Sequence, residues 1–169
     1  MKPRHLHLHC FLAALLAATT TSSIAHGDDP KTGKTTAVAK EQKAWGMAGD
    51  AKSVTRTVTL TMDDTMRFTP DKLSFRQGET VRFVIRNQGK LQHELVIGTK
   101  KELDDHAAMM QKFPAMQHDE PYMAHVSAGK TGGLVWTFNR PGEFDFACLI
   151  AGHYQAGMVG KISVAAVPR

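Results

Sequence analysis

The sequence predicts an all-β sandwich. Short stretches alternate apolar and polar residues with a period of two. Clusters of Gly, Pro, Asn and Asp separate them, and helical periodicity is scarce.

The chain opens differently. Lys2 and Arg4 precede an apolar run over 10–18, and the small residues Ser23 and Ala25 follow. This is the layout of a secretory signal peptide cleaved after Ala25, so residues 1–25 are expected to be removed on export to the periplasm. The run is too short to span a bilayer, and no membrane span is expected. Residues 26–53 are rich in Lys, Gly, Ala, Thr and Asp, with Trp45 and Met47 the large apolar exceptions. They are expected to form a flexible N-terminal segment.

The sandwich domain is expected over 54–169. Residues 54–62 are β-branched and alternating. Residues 66–75 contain a turn at Pro70-Asp71. In 80–86, Val81, Phe83 and Ile85 share one face, and Arg82 and Arg86 the other. A turn at 87–90 leads to a short strand over 93–98. Residues 99–125 break the pattern and read as an insertion of mixed helix and loop, with the helix over 101–112. Leu134, Trp136 and Phe138 then alternate. After the turn at 140–143, Phe144, Phe146 and Cys148 share one strand face, and 160–167 closes the chain.

Composition narrows the function. Removing the first 25 residues leaves 144, enough for one domain with a sizeable core. The net charge of +5 falls to +3, because Lys2 and Arg4 leave with no acid. No basic patch accompanies that mild charge, so no nucleic-acid partner is expected. One cysteine remains, Cys148, which excludes an intramolecular disulfide. A lone thiol outside the cell membrane must be buried or coordinated to survive. There is no Gly-x-Ser-x-Gly elbow, no His-Glu-x-x-His pair and no phosphate-binding Gly loop, and the protein is not expected to be an enzyme.

The chemistry concentrates near the C-terminus. Cys148, His153 and Met158 stand at intervals of five in "ACLIAGHYQAGMVG", with Gly152 and Gly157 each preceding a donor. Thiolate and thioether are soft ligands and imidazole suits copper, so the set favours copper over calcium or magnesium. A fourth donor must come from elsewhere, and His93 opens a separate short strand. Two His, one Cys and a weak axial Met make the trigonal site used for copper electron transfer. Each residue also has an ordinary reading: a core thiol, a loop or turn histidine, a packing methionine. Their joint arrangement argues for the metal.

The stretch "GEFDFACLIAGHYQAGMVGKISV", with "LQHELVI" upstream, resembles the cupredoxin family, the small blue copper proteins related to plastocyanin and azurin. The resemblance covers 54–167 apart from the insertion. It implies a Greek-key β-sandwich that shuttles single electrons through one type 1 copper ion, cycling between Cu(I) and Cu(II). Carried over singly, His93 matches the first imidazole, Cys148 the thiolate, His153 the second imidazole and Met158 the axial thioether. His153, in the loop, is the expected electron exit. Many relatives carry Asn after the first His, where it ties the two ligand loops together; here the residue is Glu94. Gln92 stands where azurins have Gly, and Ala151 where many relatives have Pro.

The insertion holds a second concentration of donors: His106, Met109, Met110, Met116, His118, Met123 and His125. Such residues suit copper(I) where metal is captured or passed on, and helical spacing places His106 beside Met109 or Met110. They suggest a second, weaker copper site, or a methionine cover over the sandwich edge. The mature N-terminal amine beside His26 is another candidate chelator. Some exported cupredoxin-like proteins with extra His and Met segments are linked to copper tolerance, and this chain resembles that subgroup in its extra segment. Two functions therefore stand: a one-electron carrier, or a copper tolerance or trafficking protein that binds, sequesters or oxidises copper(I). A soluble redox or copper-handling protein is the expected partner, and a monomer the expected state.

Overall fold

A computed structural model describes residues 40–116 and 118–168. The expected signal peptide, its expected cleavage site and His26 lie outside the described residues. Ten strands form two five-stranded sheets. The first sheet has the order β1 (Met47–Ala48), β8 (Thr131–Phe138), β5 (Glu79–Asn87), β2 (Arg56–Asp63) and β3 (Arg67–Thr69). The second has β4 (Lys72–Arg76), β10 (Val159–Ala165), β9 (Gly142–Ala147), β6 (His93–Gly98) and β7 (Met123–Val126). Both sheets are mixed, because β2 pairs with β5, and β4 with β10, in parallel.

The expected sandwich is present. Period-two alternation does what it should: Val58, Leu60 and Met62 of β2 and Val81, Phe83 and Ile85 of β5 point into one core. Phe75, Phe83 and Phe138 form its aromatic centre, with Phe75 stacked on Phe138 at 4.5 Å. Phe146 packs edge-on against Phe68 at 5.0 Å and lies over Gly160, where a Cβ would sit 2.1 Å from its ring. Only glycine fits at that position.

Residues 40–53 differ from the flexible segment expected. Trp45 is buried, stacks on Trp136, and accepts the Trp136 Nε1–H at its carbonyl. Met47 and Ala48 then pair with Thr137 and Trp136. The buried Trp45 side chain and the backbone bonds of β1 to β8 anchor the segment to the first sheet. A two-residue strand has no period for sequence reading to detect.

The insertion begins as expected and ends otherwise. Helix α1 (Lys100–Lys112) starts with a capping box. The Thr99 hydroxyl accepts the Glu102 N–H, and the Glu102 carboxylate accepts the Thr99 N–H. Leu103, Ala107 and Met110, at helical spacing, are its buried residues. They pack with Val96, Met123, Ala147 and Leu149 in a second, smaller core. Residues 123–125 are strand, not loop: β7 pairs antiparallel with β6, setting His93 opposite Val126 and Glu94 opposite His125.

Strands β6 and β9 of the second sheet are thereby covered on both faces, and all six residues of β6 are buried. Leu95 and Ile97 face the sandwich core, and Val96 faces the helix. The same alternation holds along β9 and beyond. Phe144, Phe146 and Cys148 join the sandwich core, and Ala147 and Leu149 join the helix side.

Candidate metal centre

Cys148 follows directly on β9 and is fully buried. The loop from there to β10 is closed by its own backbone. Cys148 N–H donates to the Met158 carbonyl at 3.0 Å, and Met158 N–H to the His153 carbonyl at 3.1 Å. Gly152 and Gly157 have φ of +93° and +89°, the left-handed conformation that tight reversals at both positions require. The result folds residues 148, 153 and 158 back on one another.

His93 arrives from the start of β6. It is fully buried, and its Nε2 meets the Asp64 carboxylate at 3.2 Å. Asp64 is itself held by the N–H groups of Lys90 and Leu91, at 2.8 and 3.2 Å. These bonds, the Lys90 N–H foremost, keep Asp64 below the usual carboxylate range. Asn87 pins the same turn, donating to the carbonyls of Leu91 and Val126. Asp64 and Asn87 were not picked out by sequence reasoning. The Asp64–His93 contact joins residues 29 apart, and no local pattern marks it.

The donors converge. Among the described residues, one group of three or more His, Cys, Asp and Glu lies close enough to hold a metal ion: His93, Cys148 and His153. Their ligand atoms are all within 4.8 Å of one another. Cys148 Sγ is 3.3 Å from His153 Nδ1. The two imidazoles have centroids 4.9 Å apart and planes tilted by 48°. His93 Nδ1 is buried and has no hydrogen-bond partner. A buried nitrogen with nothing to bond, beside a thiol and a second imidazole, is what a soft-metal donor set requires. Met158 is fully buried in the sandwich core, next to this group along the loop.

The electrostatics fit the same use. Burial pushes the Cys148 thiol up to about 12, opposed by the Glu94 N–H that points at its sulfur from 3.4 Å. Without a cation the thiol therefore stays protonated and unreactive, whereas a bound metal ion would favour the thiolate. Burial also lowers His153, with His93 adding to the effect, so its imidazole is held neutral as a ligand must be.

Glu94 takes over the tie between the ligand segments. Its Oε1 accepts the Leu149 N–H at 2.8 Å, joining the His93 strand to the residue after Cys148. Its Oε2 pairs with His125 Nδ1 at 2.9 Å. His125 Nε2 in turn lies 2.9 Å from the His118 carbonyl. Burial raises the Glu94 carboxyl above its usual range, with the Leu149 N–H and His125 opposing. The insertion props the loop as well: the Tyr154 hydroxyl donates to Asp104 at 2.6 Å, and Gln111 donates to Gln155 at 3.1 Å.

A two-sheet frame with two imidazoles and a buried thiol at one end of it defines a small copper-binding protein of the cupredoxin type. Residues 54–165 match the copper binding proteins of the plastocyanin/azurin family, and the chain belongs to that family. It is 44% identical to the copper-resistant cuproprotein CopI of Rubrivivax gelatinosus, over 97% of this chain and 99% of that protein. It is 33% identical to the protein of the same name from Pseudomonas aeruginosa, over 90% of this chain and 92% of that one. In structure it is similar to auracyanin B, with a TM-score of 0.60 at 24% identity, covering 73% of this chain and 96% of that one. That last likeness concerns the fold. Among the described residues, no helix is long and apolar enough to cross a membrane.

Proposed function

We propose that this protein is an exported copper-resistance cuproprotein that holds one copper ion at a mononuclear type 1 site. His93 Nδ1, Cys148 Sγ and His153 Nδ1 would hold the ion, with the Met158 thioether as a weaker fourth donor. The observation that carries the reading is the convergence of one donor atom each from His93, Cys148 and His153, beside a His93 Nδ1 that is buried and partnerless. When bound, copper supplies a reversible Cu(I)/Cu(II) couple. The chain's own part is to hold the donors still. Asp64 orients His93, Glu94 locks the two ligand segments together, and the Cys148–Met158 and Met158–His153 bonds close the loop.

Resistance leads because the relatives matched over nearly the whole chain are named copper-resistant. One-electron transfer is the second reading. It is favoured by His153, which is only partly buried while the other three ligands are enclosed. His153 opens into a cleft of about 520 Å³, where a soluble redox or copper-handling partner would meet a monomer.

Two measurements test this. The copper(II)-loaded protein is expected to show an intense visible charge-transfer band that Cys148→Ala abolishes; a colourless loaded protein would overturn the site. A deletion strain is expected to grow poorly on copper and to be rescued by the wild type but not by Cys148→Ala. Unimpaired growth of that strain would discard resistance and leave electron transfer.

A further inference from the structure

The turn between β2 and β3 reaches both segments that carry the metal donors. It spans residues 64–66 and closes on itself, with the Met66 N–H donating to the Asp63 carbonyl at 3.1 Å. The Asp63 side chain accepts the Thr65 N–H at 2.9 Å. Arg67, just beyond, donates from Nη1 to the Ala156 carbonyl at 2.9 Å, inside the loop that holds His153 and Met158. Asp64, at the head of the turn, faces the other segment and meets His93.

Asp64 is seated by backbone rather than by chance. Its Oδ2 accepts the Lys90 N–H and its Oδ1 the Leu91 N–H. Gly89 lies against it, and a Cβ at that position would overlap the carboxylate. The bare glycine is what lets Asp64 approach. Asn87 Oδ1 in turn holds the Gly89 N–H at 2.9 Å, so the seat is fixed by residues that offer the metal centre no donor.

The seat decides where the imidazole carries its proton. An ionised carboxylate only accepts, so the Nε2 it meets is the nitrogen that bears hydrogen. A neutral imidazole has one such hydrogen, which leaves the lone pair on Nδ1. That Nδ1 is the buried nitrogen with no partner. The opposite tautomer would set a lone pair against the carboxylate and leave a buried N–H unsatisfied. The charge acts as well. A carboxylate bonded to a metal-binding imidazole makes the ring a stronger donor, and a nearby negative charge favours the more positive of two metal states. The Asp64 side chain is 36% exposed, so water screens part of that charge and the effect is a bias, not a switch.

We propose that Asp64 is a positioning residue for the metal centre, which fixes His93 in the Nε2–H tautomer and biases the bound ion toward copper(II). The tautomer stands on the geometry alone; the bias rests on the type 1 reading.

Asp64→Asn tests the bias, because the amide oxygen can still accept the Nε2–H while the charge is gone. The variant is expected to keep the visible band. Outer-shell partners of this kind are typically worth about 10–100-fold in metal affinity, and screening favours the lower end. A tenfold loss that falls on copper(II) alone raises the one-electron reduction potential by about 59 mV. A folded, coloured variant with the wild-type potential, or a lower one, overturns the bias. A second measurement needs neither variant nor metal. In the copper-free wild type at mildly alkaline pH, ¹H–¹⁵N correlations of the His93 ring are expected to place the proton on Nε2 and to show an unprotonated Nδ1. A proton on Nδ1, or averaging of the two tautomers, overturns the positioning. Absence of the visible band from the wild type would instead strike the type 1 site, and with it the bias, while the tautomer is still decided on the copper-free protein.

Discussion

Glu94 is a buried carboxylate with a separate task for each oxygen, one bonded to Leu149 N–H and the other to His125. Glu94→Ala leaves a buried donor without an acceptor, and an unsatisfied group of this kind costs about 1–3 kcal/mol. The expected result in urea unfolding is a loss of that size. Glu94→Gln is expected to lose clearly less, because an amide oxygen can still accept from Leu149. Equal losses would show that the charge matters here and the tie does not. Sequence reading marked this position only as a departure from Asn. Which oxygen meets which partner depends on β6 lying between β9 and β7, an adjacency that residue types do not encode. Cys148 and His153, by contrast, are legible together because they stand five positions apart in one loop and glycines stand where that loop reverses.

The helix and the ligand loop form one mechanical piece. Asp104 accepts from both Lys100 and Tyr154, and these contacts hold its carboxyl below the ordinary 3.8. Tyr154→Phe is expected to cost about 0.5–1.5 kcal/mol near neutral pH, a typical net hydrogen-bond contribution. The sign with pH follows from the depressed carboxyl. Its stabilisation is present above the ordinary carboxylate value and is lost as pH falls through the lower folded value. The difference in melting temperature between wild type and Tyr154→Phe should therefore shrink in strong acid, and a difference that grows there would contradict the assignment. At this scale alternation predicted nearly every strand and its inward face, as with Val81, Phe83 and Ile85. It could not predict the parallel pairs β2–β5 and β4–β10, since a face is written locally and a neighbour is not. β7 was hidden for a related reason: four residues at the end of a helical insertion are too few to show a period.

Across the whole molecule, the four proposed type 1 ligands come from two distant stretches, and a bound ion would link them. A ligand that binds only the folded state stabilises it by about 2.7 kcal/mol at 100 times its dissociation constant. Removing copper is expected to lower the melting temperature, and restoring it at that excess to recover about that much. A melting temperature indifferent to copper would argue against a site assembled by folding. Along β6, neighbouring residues turn to different partners: His93 belongs with the thiol, and Glu94 reaches His125 on β7. The strand is a party wall, one residue thick, with a tenant on each side. A side chain altered in one room shifts plaster in the other, so a phenotype traced to either compartment must be checked in both before it is assigned an address.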